Sequence, residues 1–296
     1  MCDDAENEQR REEKGKVTEK VPCIFFFGDS LTDNGNNNYL ATLAKVNYWP
    51  YGIDYPDGPT GRYSNGRNAP DFIAELLGFE KAIPPFATAR GPEICKGVNY
   101  ASGGSGILDQ TGRLQGGRIP LDRQVLNHGM TASRVAWMMR NASKAREHLG
   151  RCLYSVNMGS NDYINNYFLP QLYPTQARYS PAQFAAHLCA HYSRQLRALY
   201  SQGARRVVIY AVGQVGCIPQ FMSTTKHKVR KHHHQNATSC VLLYNKDAEL
   251  FNHRLVHLVD SLNRDHPDAN FILINTTSIT SSTTGQPPGI SDHYYY

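Results

Sequence analysis

Ser30 stands just past the apolar run Ile24 to Phe27, in the stretch FFFGDSLTDNGNNN (residues 25–38). A serine at the tip of a buried strand can expose Oγ while its own backbone N–H points into the same pocket. That combination suits a nucleophile for acyl transfer. Gly28 lets the backbone approach closely there. Two further apolar runs end in the same way. GVNYASGGSGI carries Gly103 and Gly104, whose backbone N–H groups can approach an oxyanion without side-chain hindrance. CLYSVNMGSNDY ends on Gly159-Ser160-Asn161-Asp162, and Asn161 is a neutral amide donor. A serine N–H, a glycine N–H and an asparagine amide are the parts of an oxyanion hole. One such turn says little; three at strand ends, each with a different donor, point to one site. Asp29 and Asp33 flank the serine and read as groups that hydrogen-bond the turn itself.

The elements around these turns follow from pattern. Ile24 to Phe27 is a short, continuous, aromatic run, the mark of a fully buried strand. Residues 47–70 are rich in Pro, Gly, Tyr and Asn and read as a long loop. APDFIAELLG has Pro70 and Asp71 at its start and Gly78 at its end, which predicts a short helix. Ser180 as cap, Pro181 at the first position and apolar residues at Phe184, Leu188, Leu196 and Leu199 predict a long helix ended by Gly203. RRVVIYAV is then a buried strand closing on Gly213, followed by a loop to Cys240. A second long helix is expected from about Val241 to Leu262, broken by Pro267, and FILIN (271–275) is the next strand. Strands alternating with helices predict an α/β fold whose parallel sheet is covered on both faces, with ligands at the carboxyl ends of the strands.

Composition bounds the function. The chain has 296 residues, 41% hydrophobic and 19% charged, with a net charge of +6. The positive charge forms no stripe interleaved with aromatics, so no nucleic-acid partner is expected. No apolar run reaches the roughly 18 to 20 residues of a membrane span. Residues 1–20 are polar almost throughout; they read as a solvated tail without the apolar core of a signal peptide. There are 7 cysteines but no CxxC pair, which argues against a zinc ribbon or a thioredoxin motif. Three N-x-S/T sequons, at Asn141, Asn236 and Asn275, lean with the cysteines toward a secreted glycoprotein. His187/His191 and His253/His257 are spaced i, i+4, but neither pair has the glutamate of a metalloprotease helix. The KHHHQ segment reads as a solvated basic loop. No G-x-G-x-x-G or Walker spacing is present, and no G-x-S-x-G elbow.

The three turns together resemble the first, second and third sequence blocks of plant-type GDSL esterases/lipases, in the SGNH hydrolase superfamily. FFFGDSLTDNGNNN resembles the first, GVNYASGGSGI the second and VNMGSNDYINNY the third; VGCIP at 215–219 also fits. The resemblance covers about residues 21–275, between the polar tail 1–20 and an atypical tail 276–296. It implies a three-layer α/β/α fold with a central parallel sheet. It also implies hydrolysis of carboxylic esters of small-molecule or lipid substrates, with no metal or organic cofactor. By motif position Ser30 resembles the nucleophile, and Gly104 and Asn161 the oxyanion donors beside the Ser30 amide. Cys217 and Cys240 resemble a family disulfide. Many members are secreted and glycosylated, which would explain the sequons.

The last block of such enzymes is a D-x-x-H that supplies the general base and its orienting acid. No aspartate of this chain has histidine as its third following residue. Asp292-His293 has a different spacing, and Asp265-His266 falls in a helix-to-strand connection, so no base is carried across. In serine hydrolases loss of the base costs on the order of 10⁶ in turnover. Three explanations stay open: a C-terminally incomplete, truncated or mis-spliced product; an inactive member that binds acyl or sugar ligands without turnover; or a base outside the motif. A sheet short of its last strand and helix would also expose apolar surface.

Overall fold

A computed structural model of the chain describes residues 21–222 and 240–276. The strands are β1 (Ile24–Gly28), β2 (Gly97–Asn99), β3 (Leu153–Asn157), β4 (Arg206–Tyr210) and β5 (Asn270–Ile274). The longer helices are α1 (Ala69–Leu76), α2 (Leu121–Met139), α3 (Ala142–Arg151), α4 (Pro181–Ser201) and α5 (Leu242–Asp265). All five strands run parallel in the order β2-β1-β3-β4-β5.

That order places the site. The chain steps from β1 outward to β2, then crosses back to β3 on the other side of β1. The progression reverses there, and the crevice at the carboxyl ends of β1 and β3 is where such sheets take ligands. The two ends are level, because Gly28 pairs with Asn157 in the register. Ser30 follows β1, Gly104 follows β2 and Asn161 follows β3, so all three turns open on this edge.

Packing explains why β1 is so apolar. Alternate side chains of a strand face opposite sides of the sheet. Phe25 and Phe27 join the main core with Val125 of α2, Leu188 and Leu196 of α4, and Phe251 and Leu255 of α5. Ile24 and Phe26 join a smaller core with Ala74 of α1 and with Ile83. Helices therefore cover both faces at β1, which makes three layers. Toward β5 the second face thins out: Val208 and Tyr210 are half-buried and Ile272 is exposed.

The helix boundaries have local causes. Asn68 caps α1, and its backbone N–H donates back to Asp71 Oδ2 at 3.0 Å. Ser180 caps α4 in a reciprocal pair with Gln183. α5 runs to Asp265, three residues beyond Leu262, and stops just before Pro267. Among the described residues no helix is long and apolar enough to cross a membrane.

Candidate active site

The turn after β1 is built by its own acids and amides. Asp29 Oδ1 accepts the Leu31 N–H at 3.0 Å, and the Asp29 carbonyl accepts those of Thr32 and Asp33. Asp33 accepts from Gly35 and Asn36, both at 2.8 Å, through Oδ1. A side chain on Gly28 would meet Thr32 Oγ1 and the Asn157 carbonyl below 3.0 Å, so only glycine lets the turn close against β3. The asparagines reach outward. Asn36 Nδ2 donates to the carbonyls of Asn99 and Ala101, at 2.9 and 2.7 Å. Asn37 Nδ2 donates to Gly103 O at 3.0 Å and its Oδ1 accepts from Ser102 Oγ. Asn38 holds Thr60 O. The polar run after Ser30 thus stitches the β1 turn to the β2 turn and to the long loop. Ser30 itself is half-buried, and neither its N–H nor its Oγ has a partner among the described residues.

The β2 turn offers one free donor, not two. Gly103 N–H donates to Asp33 Oδ2 at 3.0 Å and is spent on the scaffold. Gly104 N–H has no acceptor among the described residues, and Gly104 has φ +76°, which a side chain would strain. The β3 turn grips this loop twice. Asp162, fully buried, accepts from Ile107 N at 2.8 Å, Leu108 N at 3.0 Å and Thr111 Oγ1 at 2.6 Å. Asn161 Nδ2 donates one hydrogen to Ser105 O at 2.9 Å and keeps its second.

Residues 24–293 match the family model of GDSL-like lipase/acylhydrolase. The chain belongs to that family. Two Arabidopsis thaliana proteins named GDSL esterase/lipase are 46% identical over 267 residues and 45% identical over 274. These alignments take in 90% and 93% of this chain, and 72% and 73% of the relatives. The family match extends through Asp292 and His293, which lie outside the described residues together with the rest of 277–296.

Within this GDSL chain the site edge holds three buried acids. Burial raises Asp29 to about 7, helped by the Asp162 charge and opposed by the Leu31 N–H. Burial raises Asp33 and Asp162 to about 6 each, against the N–H and hydroxyl donors aimed at them.

Sequence reasoning missed one residue that matters here. Gln124, on α2 and fully buried, brackets the peptide of Gly28. Its Oε1 accepts Gly28 N–H at 3.0 Å, and its Nε2 donates to Gly28 O at 2.9 Å and to Ile119 O at 2.8 Å. A lone glutamine on a helix carries no sequence signal for this; only the fold brings it to the strand end.

The histidines lie elsewhere. Asp265 pairs with Arg197, and His266 stacks on Tyr200 with ring centres 3.8 Å apart, beside the starts of β4 and β5 and so at the opposite sheet edge. His128 is enclosed by Phe25, Phe27, Tyr100 and Tyr154, and burial lowers it to about 3. His187 stacks on Tyr179, and His191 Nδ1 faces the Arg194 guanidinium at 2.8 Å, an ordinary helix surface. No described histidine is hydrogen-bonded to Ser30. The KHHHQ segment lies outside the described residues. Cys217 and Cys240 are bonded, S–S 2.11 Å, and Cys23 is bonded to Cys152. Asn141 is exposed and caps α3, Asn275 is exposed after β5, and Asn236 is outside the described residues.

Proposed function

We propose that this chain hydrolyses carboxylic esters, in keeping with its relatives' names of esterase/lipase, and that it does so through an acyl-enzyme on Ser30. What supports the reading is that the turns after β1, β2 and β3, at one edge of the sheet, each keep a donor without a partner among the described residues: Ser30 N–H, Gly104 N–H and the second hydrogen of Asn161 Nδ2. Around them Gly103, Asp33, Asp162 and Ser105 are all engaged in holding the turns. Donors fixed in advance, where negative charge will develop, stabilise a tetrahedral intermediate without reorganisation.

Ser30 Oγ attacks the ester carbonyl carbon and its proton passes to a general base. The carbonyl oxygen becomes an oxyanion held by the three donors. Collapse breaks the bond to the alcohol oxygen, which takes the proton back from the base. Water then attacks the acyl-Ser30 ester by the same route and releases the carboxylic acid. No described histidine is hydrogen-bonded to Ser30, so the base is sought outside the described residues, with His293, inside the family match, as the first candidate. The sequons and the cysteine bonds favour a secreted, glycosylated product.

A fluorophosphonate probe tests the reading. It should label the native chain at Ser30, located by peptide mass, and leave Ser30→Ala unlabelled. His293→Ala should label far more slowly. An unlabelled native chain that still binds acyl ligands would make it an inactive binding protein instead.

A further inference from the structure

The β3 turn continues into the helical turn Tyr163–Tyr167, where Asn165 departs from helical geometry at φ −110° and ψ 23°. Its Nδ2 donates to Asn161 Oδ1 at 2.6 Å. The direction of that bond follows from chemistry. The Ser105 carbonyl can only accept, so the Asn161 atom facing it at 2.9 Å must be nitrogen. Asn161 Oδ1 then faces Asn165, whose opposing atom must also be nitrogen. The reversed amide would set oxygen against oxygen at Ser105 and N–H against N–H at Asn165. Both ends of the Asn161 amide are therefore fixed, and so is the direction of its remaining N–H. Donation to Oδ1 also polarises that amide and strengthens its N–H as a donor.

Asn165 reaches the second turn as well. Its carbonyl accepts Gly112 N–H at 3.2 Å, and Gly112 packs so tightly on the Gly104 carbonyl that a Cβ there would clash with it. One half-buried residue thus touches the supports of two oxyanion donors.

We infer that Asn165 is a positioning residue that locks the Asn161 amide for oxyanion binding. The inference rests on the esterase reading of the site. Asn165→Ala removes one of the two bonds that hold the amide, leaving only the one to Ser105, and is expected to lower kcat about 10-fold with KM changed less than threefold. Asn165→Asp puts a carboxylate against Asn161 Oδ1 and turns the amide over. It should approach the loss of Asn161→Ala, on the order of 10²–10³ for one oxyanion donor. A residue that merely holds the fold would move KM and melting temperature with kcat, and would not rank aspartate below alanine.

The decisive test is a double-mutant cycle with p-nitrophenyl butyrate, melting temperatures taken for each protein. On the Asn161→Ala background, Asn165→Ala should change kcat less than twofold. An equal 10-fold loss on both backgrounds, or Asn165→Asp as active as the native chain, would overturn the inference. Ser30→Ala measured alongside separates the two readings: turnover unchanged by it removes the esterase assignment and leaves Asn165 to a second readout. In ¹⁵N spectra the Asn161 side-chain NH₂ pair should be resolved and slow to exchange in the native chain. It should broaden or exchange freely in Asn165→Ala, and an unchanged pair would again overturn the inference.

Discussion

Replacing Gln124 with methionine keeps the shape of the side chain and removes every polar contact it makes. The consequence can be worked bond by bond. Gly28 O keeps Ser102 N at 3.0 Å and Ser105 Oγ at 3.2 Å, so that carbonyl stays satisfied. Gly28 N–H and Ile119 O lose the partners described for them. A buried polar group left unpaired costs about 1–3 kcal/mol, so Gln124→Met should cost about 2–6 kcal/mol in all. Set against the 5–15 kcal/mol typical of a domain, that is a large fraction, and the melting temperature should fall by roughly 10 °C. Gln124→Glu separates hydrogen bonding from packing. It still accepts from Gly28 N–H, but sets a carboxylate against two carbonyls, so at pH 8 it should be worse than methionine. On acidification the carboxyl gains a proton to donate, and the deficit should shrink. Urea unfolding of the three proteins at pH 5.5 and pH 8 measures this. A methionine penalty under about 1 kcal/mol, or glutamate tolerated better than methionine at pH 8, would refute the reasoning.

Gly104→Ala should lower turnover and stability, since φ is +76° and the added Cβ would run into Gln115 Oε1; the N–H itself is retained, so normal kcat and melting temperature in this variant would contradict the tight geometry of the turn. The buried acids give a signed pH effect. Burial raises Asp29 to about 7 and Asp33 and Asp162 to about 6, above the 3.8 of the free groups, so the folded state holds more protons between pH 4 and 7. Stability should therefore fall as pH rises through that window, by up to about 1.4 kcal/mol per unit for each acid, and Asp29→Asn should flatten the slope in pH-dependent melts. Cys217 and Cys240 are separated by 23 residues, so the double Cys→Ser variant should lose about 3 kcal/mol in chemical denaturation.

The strands and the two long helices that begin at Pro181 and Leu242 were legible in sequence because their apolar residues keep a clean period. α2 and α3 were not. The buried side of α2 carries Gln124, Asn127, His128 and Thr131, polar residues that blur the 3.6-residue pattern. α3 is short and buries only Ala145 and Leu149. Ser30, Gly104 and Asn161 stood out because each ends an apolar run on a polar turn, a local signal. What distinguishes Gly104 from Gly103 is not local, since it depends on Asp33, 70 residues away in the chain, taking the Gly103 N–H. The roles of Gln124 and Asn165 likewise exist only once β1, β2 and β3 are side by side.

The most direct test of the account is the rate of p-nitrophenyl butyrate hydrolysis by the 296-residue chain and by its Ser30→Ala variant, both shown to be folded by their melts. The account predicts turnover in the first and the buffer rate in the second. Equal turnover in both would contradict it, because the chemistry would then not pass through Ser30.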